Sequence, residues 1–153
     1  MNRALVLACG NDLRGDDGAA LQVAKCLRNG LCEPDTCICA EQQWTPEMAE
    51  PISKAEVVIF LDASASLSPG EIACRQLQPE AGGTTFTHET SPEGLLSLAK
   101  ELYGVHPERA FLITVGGAAF DLGKGLSKPV RQAIPHAIER VKALLSGVTL
   151  PPS

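Results

Sequence analysis

Two periods run through the chain. Ala4 to Cys9 is a short continuous apolar run ended by Gly10-Asn11-Asp12, which predicts a strand buried on both faces and closed by a turn. From Asp17 the period lengthens. Ala20, Val23, Ala24 and Leu27 recur at helical spacing and Asn29-Gly30 follows, the pattern of an amphipathic helix with its stop signal. The chain therefore opens as strand, acidic loop, helix.

The same reading continues to the C-terminal part. Asp35 to Ala40 predicts a second strand, and Thr45-Pro46-Glu47 a helix start with Thr as N-cap and Pro in the first position, limited or kinked by Pro51. Val57 to Leu61 is apolar throughout and runs into Asp62, as expected of a central strand. After the turn Ser68-Pro69-Gly70, the stretch Glu71 to Leu77 predicts another strand. The link before it is only about eight residues, and a parallel crossover needs a dozen or more, so this strand should be antiparallel. Ser91-Pro92-Glu93 opens a helix carried by Leu95, Leu98, Ala99 and Leu102 as far as Gly104, leaving Thr85 to Thr90 as a loop. Ala110 to Val115 is a last strand, ended by Gly116-Gly117. Ser127 opens a long helix with Ile134, Ala137, Ile138, Val141 and Leu145 on its buried side. Pro129 suits its opening turn, whereas Pro135 should kink it or move its start toward residue 133. The order β-α-β-α-β-β-α-β-α predicts an α/β fold: a three-layer αβα sandwich on a twisted, mostly parallel five-stranded sheet with one antiparallel strand.

Composition narrows the possibilities. With 153 residues, 44% of them hydrophobic, the chain has material for one core, so residues 1–153 are expected to form a single domain. Thirteen Lys and Arg against eighteen Asp and Glu give a formal charge of -5, which leaves no basic field for nucleic acid. The apolar run near Met1 is too short for a membrane span or a signal peptide, so the expected setting is cytoplasmic, with no membrane partner. The six cysteines are then expected to be reduced thiols. Cys32, Cys37 and Cys39 form C-x4-C and C-x-C spacings, without the paired C-x-x-C motifs or the nearby histidine that would complete a zinc site.

Ligands of such sheets bind beyond the carboxyl ends of the strands. That rule selects the loop Gly10 to Asp17, Asp62 at the end of the third strand, and His88 in the loop before the third helix. Two carboxylates and an imidazole suit a borderline divalent ion such as nickel or zinc. Asp16 and Asp17 both stand at a helix start, where capping accounts for one of them. Asp16 is the better cap, leaving Asp17 free to face the rim. Asp62 also fits a turn-bonding role and His88 a surface role. His106 and His136 do not adjoin a rim carboxylate in this layout. Cys9 has no basic partner and reads as a small buried residue. A dinucleotide site is excluded: the loop lacks G-x-G-x-x-G, and paired aspartates would repel a pyrophosphate.

Gly10-Asn11-Asp12-Leu13-Arg14-Gly15-Asp16-Asp17-Gly18 resembles the G-N-x-L-x-x-D-[DE]-G motif of the nickel-iron hydrogenase maturation endopeptidases. Val57 through Asp62-Ala63 resembles the family's strand ending in Asp-Ala, and Thr87 to Pro92 its histidine segment. Phe120 to Ser127 is similar to the F-x-x-G-x-x-L-S segment of some members, so the likeness runs from about residue 3 to residue 145. Ala8 stands where many members have Gly. In some members the histidine directly follows Ser-Pro, where Glu93 stands here; in others it comes a few residues earlier, as His88 does. Imidazole suits nickel, which favours His88 over Glu93.

The resemblance implies an endopeptidase, without intrinsic cofactor, that removes the C-terminal extension from the nickel-loaded precursor of a hydrogenase large subunit. The substrate's nickel would be contacted by Asp17, Asp62 and His88, with Asp17 and Asp62 as the candidate catalytic carboxylates. No Ser-His-Asp set, H-E-x-x-H or paired aspartic-protease motif is present to suggest other machinery. A monomer is expected, since no segment shows an unexplained apolar surface. The alternative is a non-proteolytic, nickel-dependent chaperone or binding module for the immature large subunit.

Overall fold

The computed structural model describes residues 4–30, 35–79, 90–123 and 125–147. Its elements are β1 (Ala4–Cys9), α1 (Ala19–Gly30), β2 (Thr36–Glu41), α2 (Ala49–Lys54), β3 (Val57–Ser64), β4 (Ile72–Gln76), α3 (Pro92–Tyr103), β5 (Arg109–Gly116) and α4 (Lys128–Leu145), with 3-10 turns at Gly15–Gly18 and Pro46–Met48. The strands form one sheet in the order β2-β1-β3-β5-β4. All pairs are parallel except β4 with β5, as the short link between β3 and β4 requires.

The alternation of β3 divides the interior. Val57, Ile59 and Leu61 belong to a core shared with α1 and α4. Val58 and Phe60 point the other way, into a core with α2 and α3, where the Trp44 ring meets Phe60 edge-on at 5.4 Å. A strand buried on both sides must be apolar at every position, and this one is until Asp62. Each large side chain so buried stabilises the fold by about 1.5–3 kcal/mol.

Local signals set the helix ends. The Ser91 hydroxyl accepts the Gly94 N–H at 3.0 Å, Pro92 takes the first helical position, and Gly104 ends α3 at φ +75°, a left-handed conformation that glycine adopts without strain. Thr45 is extended as an N-cap should be but makes no side-chain cap bond, and the turn it opens is 3-10 before α2 begins. Pro51 falls in the first turn of α2, where a missing N–H costs no helical bond, and α2 continues to Lys54. The start of α4 is not displaced toward residue 133: the helix begins at Lys128 and runs through Pro135, which lies on its exposed side. Among the described residues no helix is long and apolar enough to cross a membrane.

From β1 the chain moves outward to β2 on one side and then returns to β3 on the other. The crevice beyond the carboxyl ends of β1 and β3 is thus the topological switch point of the sheet, the place where α/β folds bind their ligands.

Candidate functional site

Two described loops meet above this crevice, one after β1 and one between β5 and α4. The first leaves β1 through Gly10, whose N–H donates to Glu41 O at 3.0 Å. A β-carbon on Gly10 would stand 2.0 Å from the backbone oxygen of Asp17, so only glycine lets the loop return this closely. Asn11 shapes the turn twice: its N–H donates to Asp17 Oδ2 at 2.8 Å, and its Oδ1 accepts the Leu13 N–H at 2.9 Å. Asp17 is thereby held half-buried at the rim.

Asp16 does something other than cap its own helix, contrary to the sequence reading. It is fully buried. Its carboxylate accepts the N–H groups of Ala118 and Ala119 at 2.7 and 3.0 Å, and the N–H and hydroxyl of Ser127 at 2.7 and 2.8 Å. Burial alone would raise its pKa, but these four bonds hold it below the usual carboxylate range. Ser127 immediately precedes α4, so the charge also sits at the positive end of an 18-residue helix. The loop from β5 to α4 is therefore pinned onto the loop after β1. Further bonds run from Asp16 N–H to Ala119 O at 2.8 Å and from Gly123 N–H to Leu13 O at 2.9 Å. Within the Phe120 to Ser127 segment, Gly123 and Ser127 take part in this clasp.

Asp62 stands on β3 opposite Thr114 of β5, whose hydroxyl donates to Asp62 Oδ1 at 2.7 Å. Burial pushes the Asp62 carboxyl above its usual range, outweighing the Thr114 bond and the positive charge of Arg75; the negative charge of Asp17 pushes the same way as burial. Asp17 and Asp62 thus share one field. Cys9 lies in it too: burial first, then Asp62 and Asp17, push its thiol up to about 11, leaving it protonated at neutral pH and a poor nucleophile. Its Sγ donates to Gln42 O at 3.3 Å.

Arg75 on β4 completes the rim, with Nη2 3.1 Å from Glu93 Oε2 in the first turn of α3. Glu93, the alternative third ligand, is engaged by this guanidinium. His88 lies outside the described residues. Among those described, no three His, Cys, Asp or Glu side chains gather into a cluster that could hold a metal ion. Asp17 and Asp62 are near enough for the charge of one to act on the other. His106 precedes β5 and so lies toward the opposite end of the strands, its Nδ1 2.9 Å from Pro107 O, and His136 is exposed on α4.

No known family's sequence profile matches the chain, and no curated protein does. Solved structures match over nearly its whole length. The hydrogenase maturating endopeptidase HybD of Escherichia coli superposes with a TM-score of 0.74 at 25% identity, covering 95% of this chain and 93% of that one. The chain is a structural relative of the hydrogenase maturation proteases. A hydrogenase 2 maturation peptidase from a Thaumarchaeota archaeon gives 0.70 at 26% identity over 94% and 97% of the two chains. The nickel-iron hydrogenase maturation protease HybD of Thermococcus kodakarensis gives 0.68 at 25% identity over 93% and 98%. In this maturation-protease fold the strand-end rule had placed Asp17 and Asp62 at the rim, and both are found there. Thr114 and Arg75 escaped sequence reasoning. Thr114 had a signal, a single polar residue inside the apolar run of β5; Arg75 had none, because its neighbours come from β3 and α3.

Proposed function

We infer that this chain is an endopeptidase that removes the C-terminal extension from the nickel-loaded precursor of a nickel-iron hydrogenase large subunit. The observation that carries the inference is the superposition of the whole described fold on maturation endopeptidases. The carboxylate pair at the switch point supports it.

In this reading the metal comes with the substrate, and the protease has no cofactor of its own. Asp17 and Asp62 contact the precursor's nickel, with His88 as third ligand on the strength of the family resemblance. The metal positions the scissile peptide and polarises it or a bound water. Asp62 is the better general base of the two. Thr114 orients it for accepting a proton from the attacking water and passing that proton to the departing amine. The net reaction adds water across one peptide bond, giving a new C-terminal carboxylate and a free amine. Leu13 and Leu122, 66% and 75% exposed, lie on the two clasped loops beside the rim and offer apolar contact to the precursor. The proposed setting is the cytoplasm, where thiols remain reduced, and the proposed acting form is a monomer.

The test is to give purified protein nickel-loaded and nickel-free precursor and to follow the large subunit by mass spectrometry. Cleavage restricted to the nickel-loaded form is expected. Equal cleavage of both would overturn metal gating, and stable binding without cleavage of either would establish the chaperone reading instead.

A further inference from the structure

The edge strand β2 carries two thiols with no part in the rim. Cys37 and Cys39 are two residues apart and point to the same face, in register with Leu5 and Leu7 of β1. Their sulfurs lie 3.8 Å apart, Cys37 exposed and Cys39 partly covered by the core of α2 and α3. Both are free thiols. Glu41 continues the same face at the next alternate position, and its charge reaches Cys39.

The sulfur separation discriminates between metal geometries. Two thiolates bound at about 2.3 Å to a tetrahedral zinc-like ion stand about 3.8 Å apart. At the same bond length a square-planar ion needs them at about 3.3 Å, and a linear one at about 4.6 Å. The 3.8 Å at which the two thiols share a hydrogen bond is thus also the bite of a tetrahedral ion, so a metal could replace the shared proton without moving the sulfurs. Cys37 is exposed, so on its side the remaining coordination positions are open to water or to donors of a docked protein.

We propose that Cys37 and Cys39 form a two-thiolate site for a thiophilic, tetrahedral d10 cation such as zinc, separate from the carboxylate rim. Binding replaces two S–H protons with two metal–sulfur bonds and releases both protons. Burial, followed by the hydrogen bond and charge of Cys37, pushes the Cys39 thiol up, while the Arg28 guanidinium opposes that shift. Protons compete accordingly, and metal affinity should rise with pH.

Cadmium alone, as a spectroscopic stand-in for zinc, tests the site on the full chain kept under a non-thiol reductant. Titration should give a thiolate-to-cadmium ultraviolet band saturating at one equivalent and strengthening from mildly acid to mildly alkaline pH. Cys37→Ser and Cys39→Ser should each weaken binding at least tenfold. A variant with Cys26, Cys32 and Cys74 all changed to Ser should retain the band. The proposal is overturned if the two single variants bind as the parent does, or if the triple variant loses the band while its circular dichroism stays that of the parent. Position 37 is exposed, so Cys37→Ser should fold normally and keeps the test interpretable.

Discussion

Asp16 and Asp62 are both buried to a degree that ordinarily disfavours a carboxylate, yet they lie at opposite extremes. Asp16 accepts four hydrogen bonds and sits at a helix N-terminus; its pKa is lowered. Asp62 accepts one hydrogen bond from Thr114 and faces a second carboxylate, Asp17; its pKa is raised. One environment is built to satisfy a charge and the other leaves it under-satisfied. The first stabilises the fold, whereas the second holds chemical potential for a reacting partner.

Substitution at Asp62 should break the comparison most visibly. Asp62→Asn keeps an acceptor for Thr114 and is expected to reduce precursor cleavage on the order of a hundredfold or more, the loss typical of a general base. Stability should move the other way. A carboxyl whose folded pKa is raised contributes stability only at low pH and loses it as pH rises, so near neutrality the ionised form is a net cost. Asp62→Asn should therefore raise the melting temperature at pH 7, by an increment that shrinks toward about pH 4. A melting temperature lowered equally at both pH values would contradict the assigned environment.

At Asp16 the opposite is expected. Asp16→Ala leaves the donors of Ala118, Ala119 and Ser127 without their shared acceptor and opens a hole at a fully buried position, and should cost about 3–4 kcal/mol in urea unfolding. The stability Asp16 contributes is present above the ordinary carboxylate range and is lost as pH falls through its lowered folded value. The parent and Asp16→Ala unfolding curves should accordingly converge only in strong acid.

Two milder changes sharpen the contrast. Thr114→Val removes the bond that favours ionised Asp62, which should shift the acid limb of the cleavage profile to higher pH with a stability change of about 1 kcal/mol. Arg75→Gln removes a favourable charge through a largely solvated guanidinium, so the shift should have the same direction and be smaller. An acid limb moving to lower pH in either variant would refute the assignment of that limb to Asp62.

The layer order and the antiparallel β4 were legible because both follow from local rules, hydrophobic period and link length. The α3 boundaries were legible from Ser91-Pro92 and Gly104. Asp17 and Asp62 could be named because strand ends in a parallel sheet share one rim. The role of Asp16 was hidden because its partners are 102 to 111 residues away, and a helix-start rule looks only at neighbours. The displaced helix start that Pro135 suggested did not occur for a related reason: propensity describes an isolated helix, whereas α4 buries Val130, Ala133, Ile134, Ala137, Val141 and Leu144 against the sheet, and that packing outweighs one missing bond.

The Asp16 clasp also bears on the order of folding. Its donors lie in the final third of the chain, so the loop bearing Asp17 cannot take its pinned shape while only the N-terminal half has emerged from the ribosome. A chain arrested before Ser127 would hold both rim carboxylates yet lack the fastening that aligns one of them. Competence to process a substrate is thereby deferred until α4 has docked, and an incomplete protease has no means of acting early.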